Sequence, residues 1–205
     1  MRVVAGHVSK KFNRRSVFRD ISFVVEKGEV FGITGRNGSG KSTLLRIIGG
    51  LLTPSGGNLQ YTHDERPVPA EQLYQYIGYV APYLTLYEEF SAEENIVLYA
   101  RLRGMTIDTS HTRRLLERVG LPTDRKDAIR SFSSGMKQRM RLVFAILHEP
   151  PLLLLDEPVS NLDSEGMAIV YTLLQEFRAR GTVILATNDA EDIAHCDRCI
   201  SVEAV

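Results

Sequence analysis

GRNGSGKST, at residues 35–43, matches the pattern G-x-x-x-x-G-K-[ST]. In that pattern a glycine-rich backbone turns its N–H groups toward phosphate oxygens. The apolar run GEVFGIT, which begins at Gly28, predicts a strand before the loop. The spacing of apolar residues in KSTLLRIIGGL, residues 41–51, predicts a helix after it. Because a helix N-terminus also attracts anions, the sequence predicts a nucleoside triphosphate site here.

Individual residues of this loop have expected roles. Lys41 should reach the β- and γ-phosphates, and Ser42 should bind Mg²⁺. The glycines permit the tight turn that brings backbone N–H groups to the phosphates. The residues expected to contact the nucleotide are Gly35, Asn37, Gly38, Ser39, Gly40, Lys41, Ser42 and Thr43.

A pair of carboxylates follows a second apolar run, LLLLDEP, at residues 152–158. Four consecutive leucines are typical of a parallel strand that is buried on both faces, and ligands bind at the carboxyl ends of such strands. Asp156 is therefore expected to hold Mg²⁺, directly or through water. Glu157 is expected to orient or deprotonate the attacking water. Without the phosphate loop, a solvated strand end would explain this pair equally well.

Predicted strands and helices alternate along most of the chain. This alternation predicts right-handed crossovers and a parallel sheet. Residues from about 83 to 134 are predicted to form a helical insertion, and Ser91 with Glu94 makes a capping box at the start of its first helix. A strand-rich piece is expected to run to about Val80. The apolar run TVILAT, residues 182–187, predicts another buried strand.

The charges of the chain are balanced, since 25 Lys and Arg face 25 Asp and Glu. The chain has no long block of positive or negative residues that would indicate nucleic-acid binding. No nucleic-acid partner is therefore expected. No apolar run approaches the roughly 18 residues needed to span a bilayer. Charged residues follow the first few N-terminal residues too closely to leave the apolar segment that a secretory signal needs. We therefore expect a cytoplasmic protein.

Both cysteines lie in the sequence HCDRC, as Cys196 and Cys199. A zinc site would need two more ligands at matching spacing, and haem attachment would need a His after the second Cys. Two reduced thiols, one at a helix end and one in the last strand, are therefore favoured over a redox or metal site.

The segment FSSGMKQR, residues 132–139, followed by LLLLDEPVSNLD, resembles the ATP-binding subunits of ABC transporters. The resemblance covers essentially the whole chain. Ser133 and Gly135 match the family's signature sequence, although Ser134 and Met136 stand where many members have Gly and Gln. Taken alone, a serine before an amphipathic helix predicts only a helix N-cap. The order of the motifs favours the family.

The resemblance implies an α/β P-loop NTPase fold with a mostly parallel core sheet, an N-terminal antiparallel β subdomain and an inserted helical subdomain. A single domain would span residues 1–205. In this interpretation about 1–82 and 135–205 form the core with the β subdomain, and about 83–134 form the helical subdomain.

The resemblance also implies a function. In the family, the loop of Ser133 and Gly135 faces the γ-phosphate held by another subunit, and Asp163 communicates across the interface. Phe12 matches the aromatic residue that stacks on adenine, although by sequence pattern alone it would be a core residue. The implied protein hydrolyses ATP with Mg²⁺ as a head-to-tail homodimer or heterodimer. It would power an integral membrane subunit from the inner face of the cell membrane.

Two positions depart from the family pattern. Pro82 stands where members commonly have a Gln that contacts Mg²⁺ and the attacking water, so that contact is absent. Asn188 stands where most members have a His. Asn188 could cap the short helix that follows, together with Glu191, or donate a hydrogen bond to a γ-phosphate oxygen, and the two roles are compatible. Because the amide keeps a donor, we expect a slow but real ATPase.

Aromatic residues are frequent in YQYIGYVAPYLTLYEEF, residues 74–90. In the family this junction receives a coupling helix of the membrane subunit, and aromatic side chains in a groove would anchor such a helix. The alternative for Tyr74, Tyr76 and Tyr79 is a strand or core position. The aromatic residues are Tyr74, Tyr76, Tyr79, Tyr83, Tyr87 and Phe90.

The compact length, with Pro82 and Asn188, resembles the ATPases of cytochrome-c-maturation haem exporters. An alternative function is a clamp that binds ATP and dimerises but rarely hydrolyses. A soluble ABC-type ATPase acting on DNA or ribosomes is disfavoured, because such proteins usually carry a long coiled-coil insertion or two fused cassettes.

Overall fold

A computed structural model describes residues 1–123 and 126–203; the remainder of the predicted 1–205 domain, including two residues of the predicted helical insertion, lies outside the described residues. The strands in chain order are β1 (Arg2–Phe12), β2 (Arg15–Val25), β3 (Val30–Thr34), β4 (Gly56–His63), β5 (Arg66–Pro67), β6 (Ile77–Val80), β7 (Leu152–Asp156), β8 (Thr182–Ala186) and β9 (Arg198–Ser201). The helices are α1 (Lys41–Ile48), α2 (Leu73–Tyr76), α3 (Ala92–Leu102), α4 (Thr109–Arg118), α5 (Ser134–Ile146), α6 (Ser164–Arg180) and α7 (Ala190–Ala194).

Two sheets form the framework of the molecule. Strands β2-β1-β4-β5 make an antiparallel sheet, and strands β6-β7-β8-β3-β9 make a parallel sheet. The parallel sheet combined with an N-terminal antiparallel one confirms the predicted α/β fold class. The order also brings the carboxyl ends of β3, β7 and β8 together at one edge.

Strands β3, β7 and β8 of the parallel sheet are buried on both faces, as their apolar sequences predict. On β7, Leu153 and Leu155 face a core shared with the helices α3 to α6, whereas Leu152 and Leu154 face a core shared with α1 and the antiparallel sheet. The alternation follows from the two-residue period of a strand. The central sheet is therefore a partition between two apolar cores.

Helices α3 and α4 lie between β6 and α5 in the chain, where a helical insertion is predicted. The capping box predicted at the start of α3 is confirmed: Ser91 accepts a hydrogen bond from the backbone of Glu94, whose carboxylate accepts one from the backbone of Ser91. The helix predicted over residues 41–51 ends earlier, at Ile48, because Gly49 and Gly50 close it.

The strand-rich piece expected to reach Val80 is interrupted. Residues 70–72 form a 3₁₀ turn and α2 follows, so the chain re-enters strand structure only at Ile77. The core position considered for Tyr74 is wrong, because its side chain is 62% exposed while its neighbour Leu73 is buried. A four-residue helix places adjacent side chains on different faces, which an alternating strand interpretation does not anticipate.

Helix α5 approaches β6 very closely. A Cβ atom on Gly78 would collide with the backbone carbonyl of Ala145 and with the Pro150 ring. His148, just beyond α5, also reaches β6, since its Nε2 lies 3.1 Å from the carbonyl oxygen of Ile77. Glycine at position 78 is thus what allows α5 to pack directly on the strand backbone.

Both cysteines are free. Their sulfur atoms crowd the same point on β3: a Cβ atom on Gly32 would lie 2.5 Å from Cys199 Sγ and 3.0 Å from Cys196 Sγ. Burial raises the pKa of the Cys196 thiol to about 12. Among the described residues, no group of three or more His, Cys, Asp or Glu side chains could hold a metal ion.

Within residues 1–123 and 126–203, none of the helices has the length and apolar character required for a membrane span.

Candidate active site

The loop between β3 and α1 has the backbone conformation that its glycines allow. Gly35, Gly38 and Gly40 have φ values of 143°, 81° and 109°. At such angles a side chain would be strained. A Cβ atom on Gly40 would also lie 2.6 Å from Val17 Cγ1, so the loop lies tight against β2. At these three positions the loop therefore presents backbone rather than side chains.

Lys41 begins α1 and is almost fully buried. Its Nζ donates a hydrogen bond of 2.9 Å to the carbonyl oxygen of Gly35 and lies 3.7 Å from Glu157 Oε1. A buried ammonium group is costly unless it is paired, and here the loop carbonyl and the carboxylate supply the partners. The lysine is held at the loop with its charge available to an anion.

Ser42 and Asp156 meet at the edge of the parallel sheet. The Ser42 hydroxyl donates a hydrogen bond of 2.9 Å to Asp156 Oδ1. Asp156 is the last residue of β7 and is 2% exposed. Burial raises the pKa of its carboxyl group, and the Ser42 hydrogen bond opposes that rise. A hydroxyl and a carboxylate oxygen are hard donors of the kind Mg²⁺ prefers, so these two residues fit that ion.

Glu157 has a left-handed backbone with φ of 48°. The conformation is held by a hydrogen bond of 2.9 Å from its N–H to the carbonyl oxygen of Ala186. Burial raises the pKa of the Glu157 carboxyl group; Lys41 lowers it, and the charges of Asp156 and Asp192 raise it further. The left-handed backbone of Glu157 is uncommon in a non-glycine residue, and strain of this kind is concentrated at functional sites.

Asn188 reaches the phosphate loop rather than the helix that follows it. Its Nδ2 donates a hydrogen bond of 3.0 Å to Asn37 Oδ1. The predicted capping role of Asn188 is wrong, because Asp189 is the N-cap of α7 and accepts a hydrogen bond of 2.8 Å from the backbone of Glu191. The helix begins one residue later than expected, which frees the Asn188 amide to face Asn37.

A buried network lies immediately behind Asn188. Asp192, on α7, has no exposed surface and accepts hydrogen bonds from Thr187 Oγ1 at 2.7 Å and Tyr171 Oη at 3.1 Å. The Thr187 hydroxyl oxygen accepts a hydrogen bond of 3.0 Å from the backbone of Asp189. Sequence reasoning missed this network, because no local pattern distinguishes buried Asp192 from exposed Glu191 beside it.

Phe12 shares a cavity with the phosphate loop. The cavity has a volume of about 450 Å³, and its lining residues are Phe12, Arg15, Ser16, Val17, Gly38, Gly40, Lys41, Ser42 and Thr43. The core position suggested by sequence pattern for Phe12 is wrong, since the side chain is 49% exposed. Its ring lies at the surface of the antiparallel sheet, with Lys10 Nζ 4.9 Å from the ring centroid.

Ser133, Gly135 and Asp163 form a second cluster, at the N-termini of α5 and α6. Ser133 Oγ accepts a hydrogen bond of 3.2 Å from the backbone of Met136, as an N-cap does, and Asp163 Oδ1 accepts one of 2.8 Å from the backbone of Gly166. A Cβ atom on Gly135 would lie 3.2 Å from the carbonyl oxygen of Asn161. These residues are grouped with one another and do not line the cavity of the phosphate loop.

Comparison with known families gives one assignment over most of the chain. The model of a family described as ABC transporter matches residues 18–160. The linearmycin resistance ATP-binding protein LnrL of Bacillus subtilis (strain 168) is 33% identical over 201 residues, covering 95% of this chain and 64% of that protein. The Nod factor export ATP-binding protein I of Rhizobium leguminosarum bv. viciae is 35% identical over 201 residues, covering 96% of this chain and 65% of that protein. The chain spans less than two thirds of the length of each.

Solved structures show the same similarity. An ATP-binding subunit of an ABC transporter has a TM-score of 0.85 and 29% sequence identity, covering 99% of this chain and 86% of that chain. A dimeric ATP-binding cassette in a post-hydrolysis state, bound to ADP and Pi, has a TM-score of 0.82 and 26% identity, covering 98% of this chain and 94% of that chain.

Proposed function

Because the chain belongs to the ABC transporter family, we propose that it binds and hydrolyses Mg-ATP, dimerises head to tail around the nucleotide, and drives a separate membrane subunit. The observation that carries this proposal is the meeting of Lys41, Ser42, Asp156 and Glu157 at the edge of the parallel sheet. A cation, a hydroxyl and two carboxylates at a helix N-terminus form the set that phosphoryl transfer needs.

The phosphate loop holds the triphosphate. Its backbone N–H groups and the N-terminus of α1 bind phosphate oxygens, and Lys41 exchanges its carbonyl partner at Gly35 for the β- and γ-phosphates. Ser42 and Asp156 would hold Mg²⁺, which supplies positive charge against the phosphate oxygens when it is bound. Phe12 offers its exposed ring as a platform for adenine.

Glu157 orients the attacking water and accepts its proton. Its carboxylate lies beside Lys41, and its raised pKa makes it a stronger base than an exposed glutamate. Asn188 supplies an amide donor at the same edge by releasing Asn37. An amide hydrogen-bonds an oxyanion without adding charge, so hydrolysis is slower than with an ionised donor.

A second copy or a related subunit closes the site. The N-termini of α5 and α6 carry Ser133, Gly135 and Asp163 but do not line the cavity of their own chain. Their free N–H groups are suited to bind the γ-phosphate on a partner chain. The existence of a dimeric cassette with a similar fold supports dimerisation, and the head-to-tail arrangement rests on the family resemblance.

Three exposed aromatic side chains mark the surface for the membrane subunit. We call this surface, formed by Tyr83, Tyr87 and Phe90, the aromatic patch. The rings of Tyr87 and Phe90 stack with centroids 5.8 Å apart. Aromatic anchors of this kind dominate binding at interfaces. The protein is accordingly peripheral at the inner face of the cell membrane, and Tyr87→Ala should reduce co-purification with the membrane subunit while Mg-ATP affinity stays unchanged.

The transport direction is export. The name of one relative, the Nod factor export ATP-binding protein I, supports this direction. The compact haem-exporter type remains a hypothesis that rests on the resemblance described above, because no side chain of an ATPase subunit contacts cargo. A gene for a multi-span membrane protein beside this one would identify the system.

An alternative function is a clamp that binds ATP and dimerises but rarely hydrolyses. Pro82 and Asn188 favour it, and Glu157 opposes it. Single-turnover hydrolysis with enzyme in excess over ATP separates the two, because the clamp would retain its nucleotide as ATP.

The test of hydrolysis compares the parent chain with Glu157→Gln. Loss of the base should lower phosphate release from Mg-ATP by roughly 10²–10⁴-fold. The matched control is Glu117→Gln, at an exposed position on α4, which should leave the rate unchanged. Phosphate release by the parent chain no faster than by Glu157→Gln, even with the membrane subunit present, would contradict the proposal.

A further inference from the structure

The side chain of Tyr83, the residue after Pro82, contacts α1, the helix that follows the phosphate loop. Arg46 Nε donates a hydrogen bond of 2.9 Å to Tyr83 Oη, and the Arg46 guanidinium carbon lies 4.2 Å from the centroid of the Tyr83 ring. Tyr83 Oη also lies 2.8 Å from Tyr79 Oη. These contacts join α1, the loop at residues 81–90 and β6. We call them the Arg46–Tyr83–Tyr79 link.

The link begins close to the residues that hold the nucleotide. Arg46 is four residues after Ser42 on α1, so the two side chains lie on the same face of the helix. The charge of Asp156 attracts the Arg46 guanidinium. Arg46 therefore lies on the helix that Lys41 and Ser42 begin, but it does not line the cavity of the phosphate loop.

The link ends in the aromatic patch. Tyr83 is 47% exposed and is four residues before Tyr87. The rest of the loop is held by other helices: Arg141 Nε, on α5, donates 2.8 Å to the carbonyl oxygen of Leu84, and Asn95 Oδ1, on α3, accepts 3.0 Å from the backbone of Tyr87. Tyr83 connects α1 to this loop, which α3, α5 and residues 129–130 also hold.

The geometry points to the Arg46–Tyr83–Tyr79 link as the connection that carries the nucleotide state of α1 to the aromatic patch, at the position where the family's Gln is replaced by Pro82. This inference rests on the proposed function. Arg46 and Tyr83 are positioning residues. Nucleotide binding at the first turn of α1 displaces the helix together with Arg46. The hydrogen bond and the ring contact then displace Tyr83 as well.

The chain contains no tryptophan, so Tyr87→Trp places a single fluorescent reporter in the aromatic patch. In a Glu157→Gln background, which retains ATP, the emission of Trp at this position should shift when Mg-ATP binds. Tyr83→Phe and Arg46→Gln should each reduce the shift about fivefold or more, the lower end of usual couplings between sites. Mg-ATP affinity, measured with a fluorescent ATP analogue, should stay near the parent value.

The matched control is Tyr74→Phe, which removes an exposed hydroxyl that contacts only its neighbour Gln75 among the described residues and should leave the shift intact. Arg46→Lys keeps the charge over the ring but loses the planar guanidinium, and should restore part of the response. Thermal unfolding of each variant checks that the fold is kept. If Tyr83→Phe does not fold, Arg46→Gln alone tests the inference.

Two outcomes overturn the inference. One is an equal shift in the parent, Tyr83→Phe and Arg46→Gln proteins; the other is a parent that binds Mg-ATP with no shift at all. Failure of every variant and the parent to bind Mg-ATP is a different result, because it removes the proposed function and the inference with it.

Discussion

At the scale of single residues, the carboxylate of Asp192 controls the segment that presents Asn188. Both of its oxygens accept hydrogen bonds, from Thr187 and from Tyr171, inside a region closed to solvent. Burial raises the pKa of the Asp192 carboxyl group, and the two hydrogen bonds oppose the rise. The network holds the turn at residues 187–189, so the geometry of the Asn188 amide should depend on Asp192.

Asp192→Asn tests this dependence. The amide cannot accept two hydrogen bonds at the same atoms, and an imperfectly paired buried group costs about 1–3 kcal/mol. We expect a lower kcat for ATP hydrolysis with little change in KM, together with a lower melting temperature. Glu191→Gln, exposed on the same helix, is the control. A variant with lower stability but unchanged kcat would assign Asp192 to the fold alone.

The two thiols should differ in reactivity. Burial raises the pKa of Cys196 to about 12, so this thiol is protonated near neutral pH, whereas Cys199 is exposed. Since the thiolate is the nucleophile, limiting iodoacetamide on the native protein should label Cys199 first. Peptide mass spectrometry measures the two sites, and denatured protein, in which both react, is the reference. Faster labelling of Cys196 would contradict the assignment.

At the scale of elements, local patterns predicted most of the structure. The strands β3, β7 and β8 have unbroken apolar runs, and α1, α3 and α5 have clear starts at Lys41, Ser91 and Ser133. The errors occur where several polar residues compete for one role, as Asn188 and Asp189 do at the start of α7. The contacts of Arg46 with Tyr83 and of Asp192 with Tyr171 join residues distant in the chain, which a single sequence cannot pair.

Glycine is predicted to be required at position 32 in β3, because the two thiols beside it leave no room for a side chain. A Cβ atom there would lie 2.5 Å from Cys199 Sγ, so Gly32→Ala should destabilise the protein by about 1–3 kcal/mol through overpacking. Adding Cys199→Ala should restore part of the loss. Gly56→Ala on β4 is the control, since its Cβ would meet only Ser9 Cβ at 3.9 Å. Denaturant unfolding gives the free energies, and equal effects at the two glycines would contradict the packing argument.

At the scale of the whole molecule, the phosphate loop and the Ser133 cluster are separate sites on one chain. The cavity beside the phosphate loop is lined by residues from the segments 12–17 and 38–43, whereas Ser133 and Asp163 cap the N-termini of α5 and α6 and do not line it. The sequence identified both sets of residues through their motifs. It could not show that they are separate in space, because that follows from the packing of α5 and α6 against the central sheet.

Dimerisation of the Glu157→Gln protein should therefore depend on Mg-ATP. Ser133→Arg in that background should still bind the nucleotide but remain monomeric, because the bulky cation blocks the helix N-terminus. Ser110→Arg, exposed near the start of α4, should dimerise as the parent does. Sedimentation velocity with and without Mg-ATP measures the assembly. Full dimerisation of Ser133→Arg would show that the α5 N-terminus is not at the interface.

The missing side chain at Gly78 has a mechanical consequence. Because α5 packs directly on the backbone of β6 at Gly78, a displacement of either element should be passed to the other. In the proposed assembly, a shift of β6 on binding of the membrane subunit should therefore also shift α5 and the Ser133 residue that caps it. A side chain at position 78 would push α5 away from β6. Movements of the two elements should then no longer be coupled.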